Sequence, residues 1–288
     1  MHRIDWQYID RSPALAPLFA RAALRRRASG NTLPNLGLRC WVTVDPAKAE
    51  AFREVCGIAS SALLPPTYPH VLAFPLQMKL LTDPRFPLPL LGMVHLGNRI
   101  TVHRPLGGVI KALVSVRTER LEPHEKGVTF HLITQVEDAL GVLWEEDSQM
   151  LCRGVQGSGA SPEHYQPAPL PMTRIGQWLA PADIGRRYAR VSGDVNPIHL
   201  SAASARLFGF PCAIAHGLWL KSRALAALDE HLPEPPLEVD VQFGKPVRLP
   251  SEVSLSASAA APDGQFQVEG APGIVHLNGS WSSSSGTT

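Results

Sequence analysis

The spacing of hydrophobic and polar residues changes several times along this 288-residue chain. In the C-terminal half, residues 216–228 are apolar on nearly every side, as is typical of a helix buried within a core. Short alternating segments bounded by Gly, Pro or Asp follow, and they predict antiparallel strands at 237–243, 247–257, 265–270 and 273–281. The C-terminal half is therefore predicted to be a sheet packed around one buried helix.

The N-terminal half follows the same plan. An apolar stretch at 74–81 predicts a helix. Alternating segments then predict strands at 101–103, 110–121, 128–137 and 142–150. A helix followed by several strands, made twice, indicates two domains of similar architecture.

Three sequence segments recur in the same order in the two halves, which favours a diverged internal duplication. Residues 52–57 match 188–193, residues 69–79 match 211–221, and residues 94–97 match 241–244. A Pro-rich stretch lies between the halves. We therefore predict an N-terminal repeat at 1–160, a linker at 161–172 and a C-terminal repeat at 173–288.

Composition and charge narrow the class of protein. Hydrophobic residues make up 44% and charged residues 18%, and the net charge is +2 with Lys and Arg scattered among acidic residues, so nothing indicates nucleic-acid binding. Four widely spaced cysteines fit reduced thiols better than zinc or disulfides. We see no secretory signal, and no apolar run approaches the roughly 20 residues that span a bilayer. A cytoplasmic protein without membrane association is expected.

One short turn concentrates groups suited to acid–base chemistry. Gly193 permits positive φ and Pro197 fixes its own φ, so the segment between them is stiff. Such a turn can direct Asp194 and His199 towards one bound molecule, as proton transfer requires. Asn196 both donates and accepts hydrogen bonds and suits a positioning role.

Spacing alone leaves other interpretations of this turn open. Asp and Asn before Pro are ordinary turn and cap residues, and His199 could cap a following helix or sit in the core. A mononuclear metal site of Asp194, Asn196 and His199 is a further alternative, although no second His or carboxylate lies nearby in sequence. Ser192 is the weakest candidate nucleophile, because it lacks a Gly-x-Ser-x-Gly context.

The start of the buried helix adds a third chemical element. The first backbone N–H groups of a helix lack partners within the helix and attract negative charge. The N–H of Gly217 could therefore stabilise an enolate, and Gly allows a ligand to approach closely. Ala215 and His216 precede it and are predicted to contact substrate, although His216 could instead be purely structural.

The residues of these motifs resemble the MaoC-like (R)-specific enoyl-CoA hydratase family, also called hydratase 2. The matching residues are Tyr188, Val191-Ser192-Gly193-Asp194, Asn196-Pro197-Ile198-His199 and Ala215-His216-Gly217. The resemblance implies an α+β double hot dog fold, in which each repeat is an antiparallel sheet wrapped around a central helix. It implies reversible hydration of trans-2-enoyl thioesters to (R)-3-hydroxyacyl thioesters, or the reverse dehydration, without cofactor or metal.

By motif position, the resemblance assigns catalysis to Asp194 and His199, positioning of the pair and of water to Asn196, and the oxyanion N–H to Gly217. The substrate would be a thioester of coenzyme A or acyl carrier protein, and two chains could pair as a homodimer. A hot dog thioesterase and a non-catalytic acyl-thioester-binding protein are the alternatives.

The N-terminal half has lost the catalytic motif. Residues 58–63 contain no carboxylate or imidazole where the C-terminal half has its acid–base turn, and Phe74-Pro75 replaces His216-Gly217. We therefore expect this half to shape the acyl-binding pocket. The predicted substrate-binding wall residues are Leu63, Leu64, Phe74 and Leu76.

Overall fold

The computed structural model describes residues 3–155 and 168–283. Its strands form one sheet of eleven, in the order β1-β2-β4-β5-β6-β3-β8-β11-β10-β9-β7. The strands are β1 Asp5–Tyr8, β2 Leu36–Thr43, β3 Val94–Val102, β4 Lys111–His124, β5 Gly127–Asp138, β6 Gly141–Arg153, β7 Thr173–Ala180, β8 Leu237–Phe243, β9 Ser251–Ala257, β10 Asp263–Glu269 and β11 Val275–Ser283. The helices are α1 Leu15–Leu24, α2 Pro46–Cys56, α3 Tyr68–Leu81, α4 Ile184–Ser192, α5 Ala202–Arg206 and α6 Gly217–Ala227.

The sheet consists of two halves joined at one seam. Strands β1–β6 come from the N-terminal half and β7–β11 from the C-terminal half. At the seam β3 pairs antiparallel with β8, with Ile100 opposite Val239. Apart from the parallel pair β1–β2, every pairing is antiparallel. All eight predicted strands overlap observed ones and differ from them in the strand ends, whereas β1, β2 and β7 were not predicted.

Each half of the sheet packs against one central helix. The buried helix α6 begins at Gly217, close to its predicted start. The helix α3 begins at Tyr68, earlier than the predicted residue 74. Pro75 therefore lies inside α3 and not at its start, because Tyr68 and Pro69 already form the first turn. Each helix packs into its own apolar core cluster.

Two further helices bear out the first of the three sequence matches. Helices α2 and α4 both end at a glycine in the left-handed region, Gly57 with φ 64° and Gly193 with φ 79°. The matched aromatic residues Phe52 and Tyr188 also touch, with ring centroids 5.9 Å apart. The third match is wrong in register, because residues 94–97 open β3 whereas residues 241–244 close β8.

Other features bear on the remaining predictions. Of the predicted linker 161–172, residues 161–167 lie outside the described residues. The cysteines Cys40, Cys56, Cys152 and Cys212 are all free thiols. Within residues 3–155 and 168–283, no helix has both the length and the apolar character needed to cross a membrane.

Candidate active site

The chain turns sharply after α4 because Gly193 adopts positive φ. The carboxylate of Asp194 then accepts a hydrogen bond from the backbone N–H of Asn196 at 3.1 Å. Pro197 begins a short 3-10 helix, Pro197–His199, which ends at His199, the residue predicted to supply the imidazole. The Gly193–Pro197 bracket thus produces the stiff turn that the sequence predicted.

Hydrogen bonds fix the imidazoles of His199 and His216. The Nδ1 of His199 lies 2.8 Å from the backbone oxygen of Ile214, which can only accept, so Nδ1 carries the proton and Nε2 keeps its lone pair. By the same reasoning Nε2 of His216 donates to the backbone oxygen of Asp194 at 3.0 Å. The nearer carboxylate oxygen of Asp194 lies 3.7 Å from that nitrogen.

Burial and charge set the protonation of this group. Burial alone would raise the pKa of Asp194, but the neighbouring His216 and His199 lower it below its ordinary 3.8. Burial lowers the pKa of His199 below its ordinary 6.5, and Asp194 offsets only part of that effect. At neutral pH the pair is therefore an ionised carboxylate next to a neutral imidazole.

Asp194, His199 and His216 also bring metal-ligating atoms within 4.8 Å of one another. The two imidazoles are stacked, with centroids 3.7 Å apart and planes inclined by 27°. Ring nitrogens bind metals along lone pairs that lie in the ring plane, so stacked rings do not direct them at one ion. The arrangement fits proton transfer better than metal binding.

Gly217 opens α6, and its N-cap residue His216 provides no side-chain cap for the first-turn N–H groups. These donors remain free to bind a negatively charged oxygen. A Cβ on Gly217 would lie 3.0 Å from ring carbons of Phe243, so a larger residue would require that ring or the helix start to move by a few tenths of an ångström. Pro75, which the sequence aligns with Gly217, lies inside α3 and has no N–H.

A cavity of about 320 Å³ connects the acid–base turn to the N-terminal half. Seven predicted site residues line it: Phe74, Asp194, Asn196, His199, Ala215, His216 and Gly217. The apolar part of its lining from the N-terminal half includes Met78, Leu90, Met93 and Leu132.

Three predicted wall residues do not line this cavity, which corrects their assignment. Leu63 is 42% exposed and forms an isolated bridge with Gly107. Leu64 packs between the two core clusters. Leu76 is fully buried in the core around α3, because it projects from a different side of that helix than Phe74 and Met78.

Sequence reasoning missed a group of polar residues in the N-terminal half. His70, Gln77 and His95 line the same cavity, and the buried Glu146 lies behind them within hydrogen-bonding distance of His70. The sequence pattern could have indicated this group. Alternate positions of β6 face the interior, and they are occupied by Trp144, Glu146 and Ser148, all three buried. A carboxylate at an inward strand position is unusual and indicates a partner inside.

Comparisons with known proteins agree with this geometry. A profile of the family described as "MaoC like domain" matches residues 159–274. The 3-hydroxyacyl-thioester dehydratase X of Mycobacterium tuberculosis is 36% identical over 215 residues, which cover 74% of this chain and 76% of that protein. The crystal structure of that protein, HtdX, superposes with a TM-score of 0.72 over 86% of this chain and 99% of its own, at 32% identity.

Two more distant structures share the fold. A MaoC-like dehydratase from Phytophthora capsici has a TM-score of 0.72 at 18% identity, covering 88% of this chain and 96% of its own. A Mycobacterium tuberculosis protein described as having a double hotdog fold has a TM-score of 0.52 at 14% identity, covering 90% and 96%. The fold is therefore a double hot dog, as the sequence predicted. The chain belongs to the MaoC-like dehydratase family.

Proposed function

We propose that this protein is a hydro-lyase that interconverts trans-2-enoyl thioesters and (R)-3-hydroxyacyl thioesters in fatty-acid metabolism. One observation carries the proposal. Asp194 and His199 meet at one end of an apolar cavity, beside the free N-terminus of α6 at Gly217. A base, an acid and an oxyanion donor are what this reaction needs.

The protons balance within the pair. In dehydration one proton leaves C2 of the substrate and one joins the departing C3 hydroxyl to form water. The free Nε2 of His199 and the carboxylate of Asp194 are both unprotonated at neutral pH, so the proton that one of them takes from C2 is the proton that the pair delivers to the departing hydroxyl, and both groups end unprotonated. The pair is regenerated after each turnover without exchange with solvent.

The negative charge of the reaction develops on the thioester oxygen as C2 loses its proton. We assign that oxygen to the first-turn N–H groups of α6, with Gly217 as the main donor. Asn196 lines the cavity beside the pair, and its buried Oδ1 has no hydrogen-bond partner among residues 3–155 and 168–283. Its role would be to position the pair and the water, because an unpaired buried carbonyl oxygen readily accepts a hydrogen bond from a bound molecule.

We infer a division between the two halves. Residues 1–160 would be a degenerate repeat that shapes the acyl pocket, residues 161–172 a linker, and residues 173–288 the catalytic repeat. The lining supports this, because the acid–base residues come from the C-terminal half and Phe74 with Met78 from α3. Ala215 and His216 would contact the substrate between the two parts.

The wider setting is also part of the proposal. The substrate would be carried by coenzyme A or acyl carrier protein. The free thiols support a reducing cytoplasmic location. A homodimer of the chain stays a prediction, as do the absence of a cofactor and of nucleic-acid partners.

A direct assay tests the function. The protein is mixed with a trans-2-enoyl-CoA, and the absorbance of the conjugated thioester is followed together with free thiol. A hydratase removes the chromophore without releasing thiol. Release of free thiol would indicate the alternative thioesterase. If neither signal changes, the protein is a binding protein. The control protein is Asp194→Asn, in which the chromophore should persist.

A further inference from the structure

The wall of the cavity formed by the N-terminal half carries a polar cluster that the proposed reaction does not use. His70 and Gln77 project from α3 and His95 from β3, and all three line the cavity. Glu146 on β6 lies behind them with a side chain that is 0% exposed. Burying a carboxylate costs free energy unless it is paired and hydrogen-bonded, so a buried Glu146 indicates a specific role for this cluster.

Hydrogen bonds hold the cluster in one arrangement. The carboxylate of Glu146 accepts from Nδ1 of His70 at 2.8 Å, from Asn98 at 2.7 Å and from Gln77 at 3.3 Å. Asn98 in turn accepts from the buried ammonium of Lys221 on α6. Because Glu146 occupies Nδ1 of His70, Nε2 is the nitrogen that remains for a ligand in the cavity.

The groups that face His70 favour its charged form. Burial alone would lower the pKa of His70, but the charge of Glu146 and its hydrogen bond raise it above the ordinary 6.5, with a smaller contribution from Asp194. Lys221 opposes this, and burial lowers its own pKa to about 7. Burial lowers the pKa of the adjacent His95 to about 4, so that ring stays neutral.

Ring contacts place His70 relative to the reaction centre. Phe243 packs against Gly217, His95 lies 5.8 Å from Phe243, and His70 lies 6.3 Å from His95, the last two measured between ring centroids. The thioester oxygen is assigned to Gly217, and C2 and C3 to the acid–base pair. We assign the acyl chain beyond C3 to His70, because Phe74 and Met78 of the same helix line the cavity with it.

We propose that Nε2 of His70 hydrogen-bonds an oxygen atom carried by the acyl chain beyond C3, so that the cavity selects hydroxy- or oxo-acyl thioesters over plain alkyl ones. The inference rests on the proposed function for the identity of the ligand as an acyl thioester. A hydrocarbon chain against this imidazole would keep solvent from Nε2 and offer it no hydrogen bond in return. A hydroxyl or carbonyl oxygen on the acyl chain would accept that hydrogen bond.

Binding of unreactive ligands tests the inference separately from catalysis. The probes are acyl-CoAs saturated at C2–C3, either plain or with one hydroxyl at successive carbons beyond C3, and Kd is measured by calorimetry. We expect the best hydroxylated probe to bind about tenfold more tightly than the plain one, equivalent to about 1.4 kcal/mol. In His70→Asn the side-chain amide can donate to Glu146 as Nδ1 does, but no group takes the place of Nε2. The preference for the hydroxylated probe should therefore disappear.

Met78→Leu is the matched control, because it changes the cavity wall without changing a polar group and should leave the ratio of the two Kd values intact. His70→Gln, which can replace Nε2, should restore part of the preference. Thermal melting shows that each variant is folded. Equal Kd values for all probes, no binding of any of them, or a preference that survives in His70→Asn would overturn the inference. The enoyl-CoA assay judges the proposed reaction independently.

Discussion

The imidazole of His199 lies against the imidazole of His216, with ring centroids 3.7 Å apart. Two rings stacked this closely cannot both carry charge. Burial and the proximity of His199 lower the pKa of His216 to about 3, although Asp194 partly opposes this. The stack therefore gives His199 a neutral neighbour, and burial keeps His199 itself neutral.

The pH dependence of the rate follows from this pair. The active form has Asp194 ionised and His199 neutral. Both have pKa values below their ordinary 3.8 and 6.5, so the midpoint at which acid removes the active form lies below pH 6.5. We expect kcat/KM to fall in acid with a midpoint below pH 6.5. A midpoint at or above pH 6.5 would contradict the assignment.

Asp194→Asn should lower kcat by roughly 10²-fold or more, because it removes one of the two proton-transfer groups. The amide oxygen can still accept from the N–H of Asn196, so the turn should keep its shape. Steady-state kinetics and a thermal melt measure the two effects. Asp229→Asn, at an exposed position, is the control and should retain full activity. Normal turnover in Asp194→Asn would remove this residue from the mechanism.

Gly217→Ala should lower kcat by at least about tenfold, with a smaller effect on KM. The added Cβ would lie 3.0 Å from ring carbons of Phe243, so that ring and the helix start are pushed apart, and a shift of the helix start displaces the oxyanion donor. Adding Phe243→Leu should relieve the contact and recover part of the rate. If the single variant is as active as the parent, the oxyanion donor lies elsewhere.

Phe74→Ala should change the preference for acyl chains more than the chemistry. The ring of Phe74 lines the cavity and lies 6.4 Å from that of Phe19, so its removal widens the acyl end. We expect kcat/KM to rise for bulky acyl chains relative to short ones. The measurement is the ratio of kcat/KM for the two substrate types, and an unchanged ratio would mean that the acyl chain does not reach α3.

Lys221 should make stability depend on pH. Burial lowers its pKa from 10.5 to about 7, so between these values the unfolded chain binds more protons than the folded one, and the free energy of unfolding rises with pH. The slope is at most about 1.4 kcal/mol per pH unit. Lys221→Met should lose this rise. Urea titrations at several pH values measure the free energy of unfolding of both proteins. The prediction is wrong if this free energy changes with pH in the same way in Lys221→Met and in the parent protein.

The periodicity of the sequence predicted both central helices and eight of the eleven strands of the sheet. It also predicted the acid–base turn, because Gly193, Pro197 and the residues between them act over a few positions and need no tertiary information. The match between residues 52–57 and 188–193 even identified two helices that touch through Phe52 and Tyr188.

The predictions were weaker where a side chain's direction decides the outcome. Leu76 is apolar and belongs to the same helix as Phe74, but it faces the core and not the cavity. His70 precedes the predicted start of α3, and its partner Glu146 is 76 residues away in sequence. No local pattern joins two such residues. The pairing of β6 with β3 and the position of α3 bring them together.

The two halves belong to one chain, and the antiparallel pairing of β3 with β8 joins them in one sheet. In a dimer of identical subunits every substitution appears in both subunits, so a change that improves one site alters its copy as well. Here Pro75 occupies α3 while Gly217 opens α6, and neither choice constrains the other. The sequence of each half can therefore change independently. Substitutions in the N-terminal half can alter which ligands the cavity binds without altering the acid–base residues of the C-terminal half.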